Sequence, residues 1–294
     1  MKGIVLAGGL GTRMAPITQV VNKQLLPIYD KPMIYYPISV LMLAGITDIL
    51  LIGTEESTPQ LKKLLGDGSQ FGINFNYASQ QSPGGISEAF IIGKDFIKGD
   101  SCILILGDNF FYGHGLASFF ENATQKHRGA SIFTYWVSNP STYGVIEEDE
   151  SENIIDIVEK PKYTKSNWAI TGLYIFDHKI ADIVKSLVPS ERGELEITDA
   201  LKVYLSSAEL YVTKMGRGFA WLDTGTSDSL LQTSLFVQTI EKRQGLKIAC
   251  LEEIALRKGF ITPLDFKTSI DCMPTCTYRD YLNRVLSDFS SHKN

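Results

Sequence analysis

Ile4-Val5-Leu6-Ala7-Gly8-Gly9-Leu10-Gly11-Thr12-Arg13 decides how the rest of the chain folds. The apolar run from Gly3 to Leu6 predicts a first β-strand that empties directly into a glycine-rich loop ending on a cation. Glycines lack Cβ atoms and let backbone N–H groups approach an anion closely, and Arg13 adds a forked set of charge-assisted hydrogen bonds suited to phosphate oxygens. Gly8, Gly9, Gly11, Thr12 and Arg13 therefore form a candidate triphosphate-binding loop. Two better-known phosphate loops are excluded: there is no Gly-Lys-Ser/Thr, and Met14 stands where a dinucleotide fingerprint wants glycine. A plain strand-to-helix turn is the blander alternative, but it needs one or two glycines and no arginine.

Outward from the loop, strand and helix signals alternate. Lys31-Pro32 leads to a helix expected from Met33 to Ala44 and stopped by Gly45, and Asp48 to Ile52 is the next strand. Thr58-Pro59 caps a helix through Leu65 that Gly66 closes, and Ile73 to Ser79 reads as a strand ending at Gln80. A turn-rich connection then enters a helix reaching about Phe96. Cys102 to Leu106 is a continuous apolar run, as in a central strand buried on both faces. A helix from Leu116 to about His127 and a strand from Ser131 to Val137 follow. Such alternation predicts an α/β fold with a mainly parallel mixed sheet flanked by helices, Rossmann-like, with ligands at the carboxyl ends of the strands.

Beyond residue 137 the pattern changes. Tyr143 to Ile146, Ile154 to Glu159, Ala169 to Phe176 and Leu210 to Thr213 are strand-like without a helix between each pair, which suggests a second half continuous with the same sheet. A long helix is expected from Ser229 to about Gln244, and the tail is helical in tendency at Leu251 to Lys258 and Tyr278 to Leu286. One domain is expected, in three parts: 1–110, 111–244 and a helical region over 245–294.

Composition bounds the function. With 28 Lys and Arg against 33 Asp and Glu, the net charge is -5, which argues against a nonspecific grip on nucleic acid or anionic lipid. The chain enters its first strand at once, and the longest apolar stretch, Ile34 to Ile52, is interrupted by Pro37, Gly45 and Asp48. A cytoplasmic protein that neither binds nucleic acid nor spans a membrane is the expectation. Four scattered cysteines suit neither a disulfide scaffold nor a metal site. The four histidines show no metal spacing and no catalytic partner.

Several strand ends carry chemistry. Gln80 places a primary amide at the sheet's rim, where donor and acceptor together match the N3–H and a neighbouring carbonyl of thymine or uracil; a solvated surface glutamine is the default alternative. Asp108, in Gly107-Asp108-Asn109, either caps a turn or binds a hard cation such as Mg²⁺ brought by a nucleoside triphosphate. Its place beside a phosphate loop favours the cation. Glu159-Lys160-Pro161 sets a hydrogen-bond acceptor beside a cation at a strand end, or is an exposed ion pair.

Gly8 to Met14, followed by Lys23-Gln24-Leu25-Leu26-Pro27, closely resembles the opening of the sugar-1-phosphate nucleotidylyltransferases. The likeness runs from Lys2 to about Ala255, and implies a nucleotide-binding half over 1–110, a sugar-phosphate half over 111–244 and an oligomer-forming, effector-binding helical region over 245–294. It implies dTTP and glucose 1-phosphate as substrates, with UTP or another sugar 1-phosphate as the near alternative, Mg²⁺ as cofactor, and a homotetramer. It implies nucleotide contacts from the loop, Lys23, Gln24, Gln80, Pro83, Gly85 and Asp108, with Gln80 as the pyrimidine contact. Gln81, Gly84 and Ile86 depart from the usual Pro, Asp and Leu. The sugar phosphate would meet Tyr143, Gly144, Glu159, Lys160, Thr171 and Gly172, with Arg192 as a second phosphate cation. Asp223, in Trp221-Leu222-Asp223-Thr224-Gly225, would be the second Mg²⁺ ligand opposite Asp108. Arg13, Lys23 and Lys160 would carry the catalytic charges on the pyrophosphate, α-phosphate and sugar phosphate.

Two other classes remain. A metal-dependent glycosyltransferase would normally show Asp-x-Asp, which Asp108-Asn109-Phe110 lacks. A non-catalytic nucleotide-sugar sensor would have lost cations or metal ligands, and all are present.

Overall fold

The computed structural model describes residues 1–82, 84–125 and 128–291. In chain order its strands are β1 (Lys2–Leu6), β2 (Pro27–Ile28), β3 (Lys31–Pro32), β4 (Asp48–Thr54), β5 (Asn74–Gln80), β6 (Cys102–Leu106), β7 (Asn109–Gly113), β8 (Ala130–Trp136), β9 (Gly144–Glu148), β10 (Ile154–Glu159), β11 (Trp168–Phe176), β12 (Leu210–Met215) and β13 (Phe219–Asp223). The helices are α1 (Tyr35–Leu43), α2 (Ser57–Leu65), α3 (Glu88–Ile92), α4 (Lys94–Ile97), α5 (Leu116–Thr124), α6 (Ile180–Lys185), α7 (Ile197–Ser206), α8 (Ser227–Gln244), α9 (Leu251–Arg257), α10 (Pro263–Asp271) and α11 (Thr277–Ser291).

One nine-stranded mixed sheet organises the molecule. β6, β1, β4 and β5 lie side by side and parallel, and antiparallel β11 continues the sheet beyond β6. β8 pairs antiparallel with β11 and parallel with β12, while β9 and β10 branch from the other end of β11. The chain leaves β1 toward β4 and β5, then returns to the opposite side of β1 as β6. That reversal makes the carboxyl ends of β1 and β6 a topological switch point, where a crevice opens between two outgoing loops.

Both faces of the sheet are covered. On one, Val5 and Ile105 pack with Ile38 of α1, Phe120 of α5, Leu251 of α9, Phe266 of α10 and Leu282 of α11. On the other, Ile4 and Leu104 pack with Phe90 of α3, Ile180 of α6 and Leu201 of α7. The final helices thus share a core with the first strand.

Several boundaries differ from the sequence expectation for identifiable reasons. Pro32 lies in the short β2–β3 hairpin, so α1 begins only at Tyr35. The helix expected to reach Phe96 breaks at Gly93, where an added Cβ would stand 2.9 Å from the Ala89 carbonyl oxygen. α8 starts two residues early because Thr226 and Ser229 form a reciprocal capping box. α10 was not anticipated, although Thr262-Pro263 with Asp265 is a capping box that announces it. His127, where a helix was expected to end, lies outside the described residues, as does Pro83.

Candidate active site

The glycine loop leaves β1 as expected and stays open. Gly11 sits at φ 63, and a Cβ there would press to 2.8 Å from Thr18 Cγ2, so only glycine suits the turn. Nothing lies within 4 Å of the space above Gly9. The short 3₁₀ turn Thr12–Met14 then buries Met14 and exposes Arg13. The guanidinium swings toward β13, and a Cβ on Gly225 would sit 2.6 Å from one of its terminal nitrogens and 3.0 Å from Asp223 Oδ1.

Asp108 emerges one turn after β6, and the antiparallel β7–β13 ribbon brings the second carboxylate to it. Asp223 stands opposite Asn109 in that ladder, and both Thr224 N (3.0 Å) and Thr224 Oγ1 (2.7 Å) donate to the Asp108 carbonyl. Sequence reasoning missed β7, and without it the approach of the two aspartates has no cause. Burial, and then the neighbouring Asp108 carboxylate, push the Asp223 pKa up to about 6. Burial works against the charge on Asp108 too, but the Lys23 ammonium, 2.5 Å from Oδ2, overrides it and holds that carboxyl below its ordinary value.

Asn109 is a further functional residue that sequence reasoning passed over. Buried, it donates from Nδ2 to Asp108 Oδ1 (3.0 Å), and its Oδ1 accepts from Trp221 Nε1 (2.6 Å) and Gly172 N (3.0 Å). One side chain therefore ties the turn after β6 to β13 and β11. Gly172 makes that possible, because a Cβ there would fall 2.7 Å from Asn109 Cγ and Oδ1. Gly172→Ala is expected to displace Asn109 and lower kcat tenfold or more with an unchanged circular dichroism spectrum; unchanged kcat would show that Asp108 needs no such tether.

One cavity brings together Arg13, Asp108, Tyr143, Gly144, Glu159, Lys160, Gly172 and Asp223. Gly144 and Glu159 face each other in the β9–β10 register, and Lys160 Nζ lies 3.3 Å from Glu159 Oε1. Lys160 adopts φ 42, a left-handed conformation unfavourable for a side-chain-bearing residue, held by its N–H on the Tyr143 carbonyl (3.0 Å). Ile86, Leu106 and Trp221 supply apolar wall.

Other expected residues lie elsewhere. Thr171 is fully buried and does not line the cavity, because side chains alternate along β11: Ile170, Gly172 and Tyr174 face the cavity and Thr171 the opposite side. Arg192 is not a free phosphate cation: it binds Glu196 at 2.8 Å and also approaches Glu159 and Glu194. Lys23 is 5% exposed and engaged by Asp108 rather than open to an α-phosphate. Gln24 is buried beside Gly107, and its Oε1 has no hydrogen-bond partner among the described residues. Gln80 is buried at the end of β5 with its Oε1 against Gly8, while its Nε2 donates to Glu88. Glu88 thus takes one of the two N–H donors and fixes which end of the amide lies toward Gly8, where a freely turning amide was expected. Gly85, at φ 97, packs against the Leu195 backbone.

A protein-family profile described as nucleotidyl transferase matches residues 2–240. A glucose-1-phosphate thymidylyltransferase of Neisseria gonorrhoeae is 53% identical over 286 residues, covering 97% of this chain and 99% of that one. A crystal structure from Bacillus anthracis superposes with a TM-score of 0.74 at 41% identity, over 80% of this chain and 94% of that chain. UDP-glucose pyrophosphorylase complexed with UDP-glucose gives a TM-score of 0.70 at 26% identity, over 83% and 99%. With an open glycine loop at the end of β1, paired aspartates at its neighbour and a second cationic wall facing them, the chain belongs to the nucleotidyl transferase family.

Proposed function

We propose that this enzyme transfers a thymidylyl group from dTTP to glucose 1-phosphate, giving dTDP-glucose and pyrophosphate. The observation that carries this is the single cavity in which Arg13 and the two aspartates of the nucleotide half face Glu159 and Lys160 of the sugar half. The names of the relatives support it. A sugar-phosphate oxygen attacks the α-phosphorus in line, forming the new P–O bond as the bond to the departing pyrophosphate breaks. That oxygen is already ionised at neutral pH, so no general base is needed. The work left to the protein is positioning and charge neutralisation.

Arg13 neutralises the departing pyrophosphate, Lys160 the sugar phosphate, and Glu159 accepts hydrogen bonds from sugar hydroxyls. Lys23 acts by fixing the Asp108 carboxylate beside the α-phosphate. Asp108 and Asp223 fit a Mg²⁺ ion: burial first, and then the charge of Asp108, raise the Asp223 pKa, and a divalent cation would offset both. Among the described residues no group of three or more His, Cys, Asp or Glu could hold a metal, so the two aspartates would hold the ion together with oxygens of the substrate phosphates and water. When bound, the ion neutralises charge on the phosphate oxygens.

Charged substrates of this kind suit a cytoplasmic setting, and no helix of the described residues is long and apolar enough to cross a membrane. The homotetramer remains part of the proposal, with the exposed Leu231 and Leu235 of α8 as apolar surface for it. Pyrophosphate release that requires both dTTP and glucose 1-phosphate tests the reaction; release from dTTP at the same rate without a sugar 1-phosphate would sink it.

Base preference follows from the acceptor that Gln80 offers. Thymine and uracil present N3–H to it, whereas cytosine presents a bare N3, setting acceptor against acceptor. Such a mismatch costs a factor of roughly 10⁴, while the missing methyl of uracil is worth about 1–3 kcal/mol. The expected order of kcat/KM is dTTP, then UTP at a measurable rate, with CTP nearly inert. CTP used as well as UTP would show that the base is read elsewhere.

A further inference from the structure

We infer that Glu88 sets which pyrimidine this enzyme accepts, acting as a positioning residue through Gln80; this rests on Gln80 being the base contact. A glutamine amide carries a donor and an acceptor of nearly equal shape, and turning it over about its last torsion is cheap. A free glutamine therefore offers Oε1 to the N3–H of thymine in one sense and Nε2 to the bare N3 of cytosine in the other. By itself it discriminates poorly between them.

In this fold the amide is not free. Gln80 ends β5 and is 6% exposed. Glu88, the first residue of α3, reaches back so that Oε2 accepts from both Gln80 Nε2 and Gly84 N (3.1 Å). Only the NH₂ group can face a carboxylate at such a distance. Turning the amide over would set Oε1 against Oε2, two acceptors in a partly buried contact with no proton between them. Glu88 thereby fixes Nε2 inward and leaves Oε1 over Gly8, in the sense that receives N3–H.

The residue at 84 leaves room for this arrangement. A Cβ on Gly84 would stand 2.5 Å from Glu88 Oε2, so the glycine that departs from the usual Asp is what admits the carboxylate. An aspartate there would also bring a second negative charge against it.

The test measures kcat/KM for dTTP and dCTP with glucose 1-phosphate in the wild type, Glu88→Gln, Gln80→Ala and the exchanged double variant Q80E/E88Q. Replacing the carboxylate of residue 88 by an amide, which can turn its NH₂ to a reversed Gln80 at the loss of only the Gly84 N–H bond, is expected to lower the dTTP/dCTP ratio at least tenfold, chiefly by faster use of dCTP. KM for glucose 1-phosphate should not move. The exchange places a pure acceptor at 80 and a donor at 88, and is expected to return the ratio to within about threefold of wild type. A collapse of the ratio in Gln80→Ala with no change in Glu88→Gln would overturn the role of Glu88 while leaving Gln80 as the base contact. An unchanged ratio in Gln80→Ala would overturn both. Equal losses with dTTP and dCTP in Glu88→Gln would mark a merely structural residue. Should Glu88→Gln fail to fold, the double variant decides, and a ratio near one there overturns the proposal.

Discussion

Asp223→Asn is expected to lower kcat by about three orders of magnitude at saturating Mg²⁺ while the metal-free protein melts no lower than wild type at pH 7. The loss follows from removing one of two carboxylates fitted to the cation, in a site where a single preorganised charge is worth roughly 3–4 kcal/mol. The retained stability follows from the raised pKa. The fold favours the protonated form of Asp223, so its contribution is present below the ordinary value of 3.8 and is lost as pH rises to about 6. At pH 7 the charged carboxylate therefore opposes folding, and asparagine removes that opposition. Asp108→Asn should lose as much activity but behave differently in a melt. It would leave the Lys23 ammonium, 5% exposed, without its partner, and breaking a buried pair on one side costs about 3–5 kcal/mol. Steady-state rates across a Mg²⁺ titration, with thermal melts of each variant, check both points. Near-normal turnover in the two variants would remove these aspartates as metal ligands.

Arg13→Ala is expected to lower kcat by roughly 10²–10³ with little change in KM for glucose 1-phosphate. Its guanidinium lies against Gly225 and close to Asp223, on the nucleotide side of the cavity. There it meets charge that builds as pyrophosphate departs rather than charge already present on the sugar phosphate. Arg13→Lys should recover only part of the rate, because an ammonium keeps the charge but loses the forked geometry. A change confined to the KM of the sugar phosphate would place Arg13 on the wrong substrate. Lys23→Ala is a poorer probe of phosphate chemistry, since it also releases Asp108.

Much of this was legible because its signals are local. The glycine loop, the apolar run ending at Asp108, the Glu159-Lys160 pair and the alternation that predicts a parallel sheet all lie within windows of a few residues, where turn chemistry and periodicity act. The acidic neighbours that capture Arg192 were equally visible in Glu191-Arg192-Gly193-Glu194-Leu195-Glu196, yet its charge was given to a phosphate.

What the tertiary structure alone decided is which distant segments meet. Nothing in a local window pairs β7 with β13, yet that ribbon sets Asp223 opposite Asn109 and lets Asn109 hold Trp221, 112 residues away. Lys23 reaches Asp108 across 85 residues and changes from an expected phosphate ligand into the partner of the Asp108 carboxylate. Glu88 is only eight residues from Gln80, but its effect depends on its carboxylate meeting that amide in the folded chain. The sequence therefore determined which chemical groups the strand ends present. Packing determined their partners, protonation and orientation, because those depend on distances between segments that no local pattern encodes.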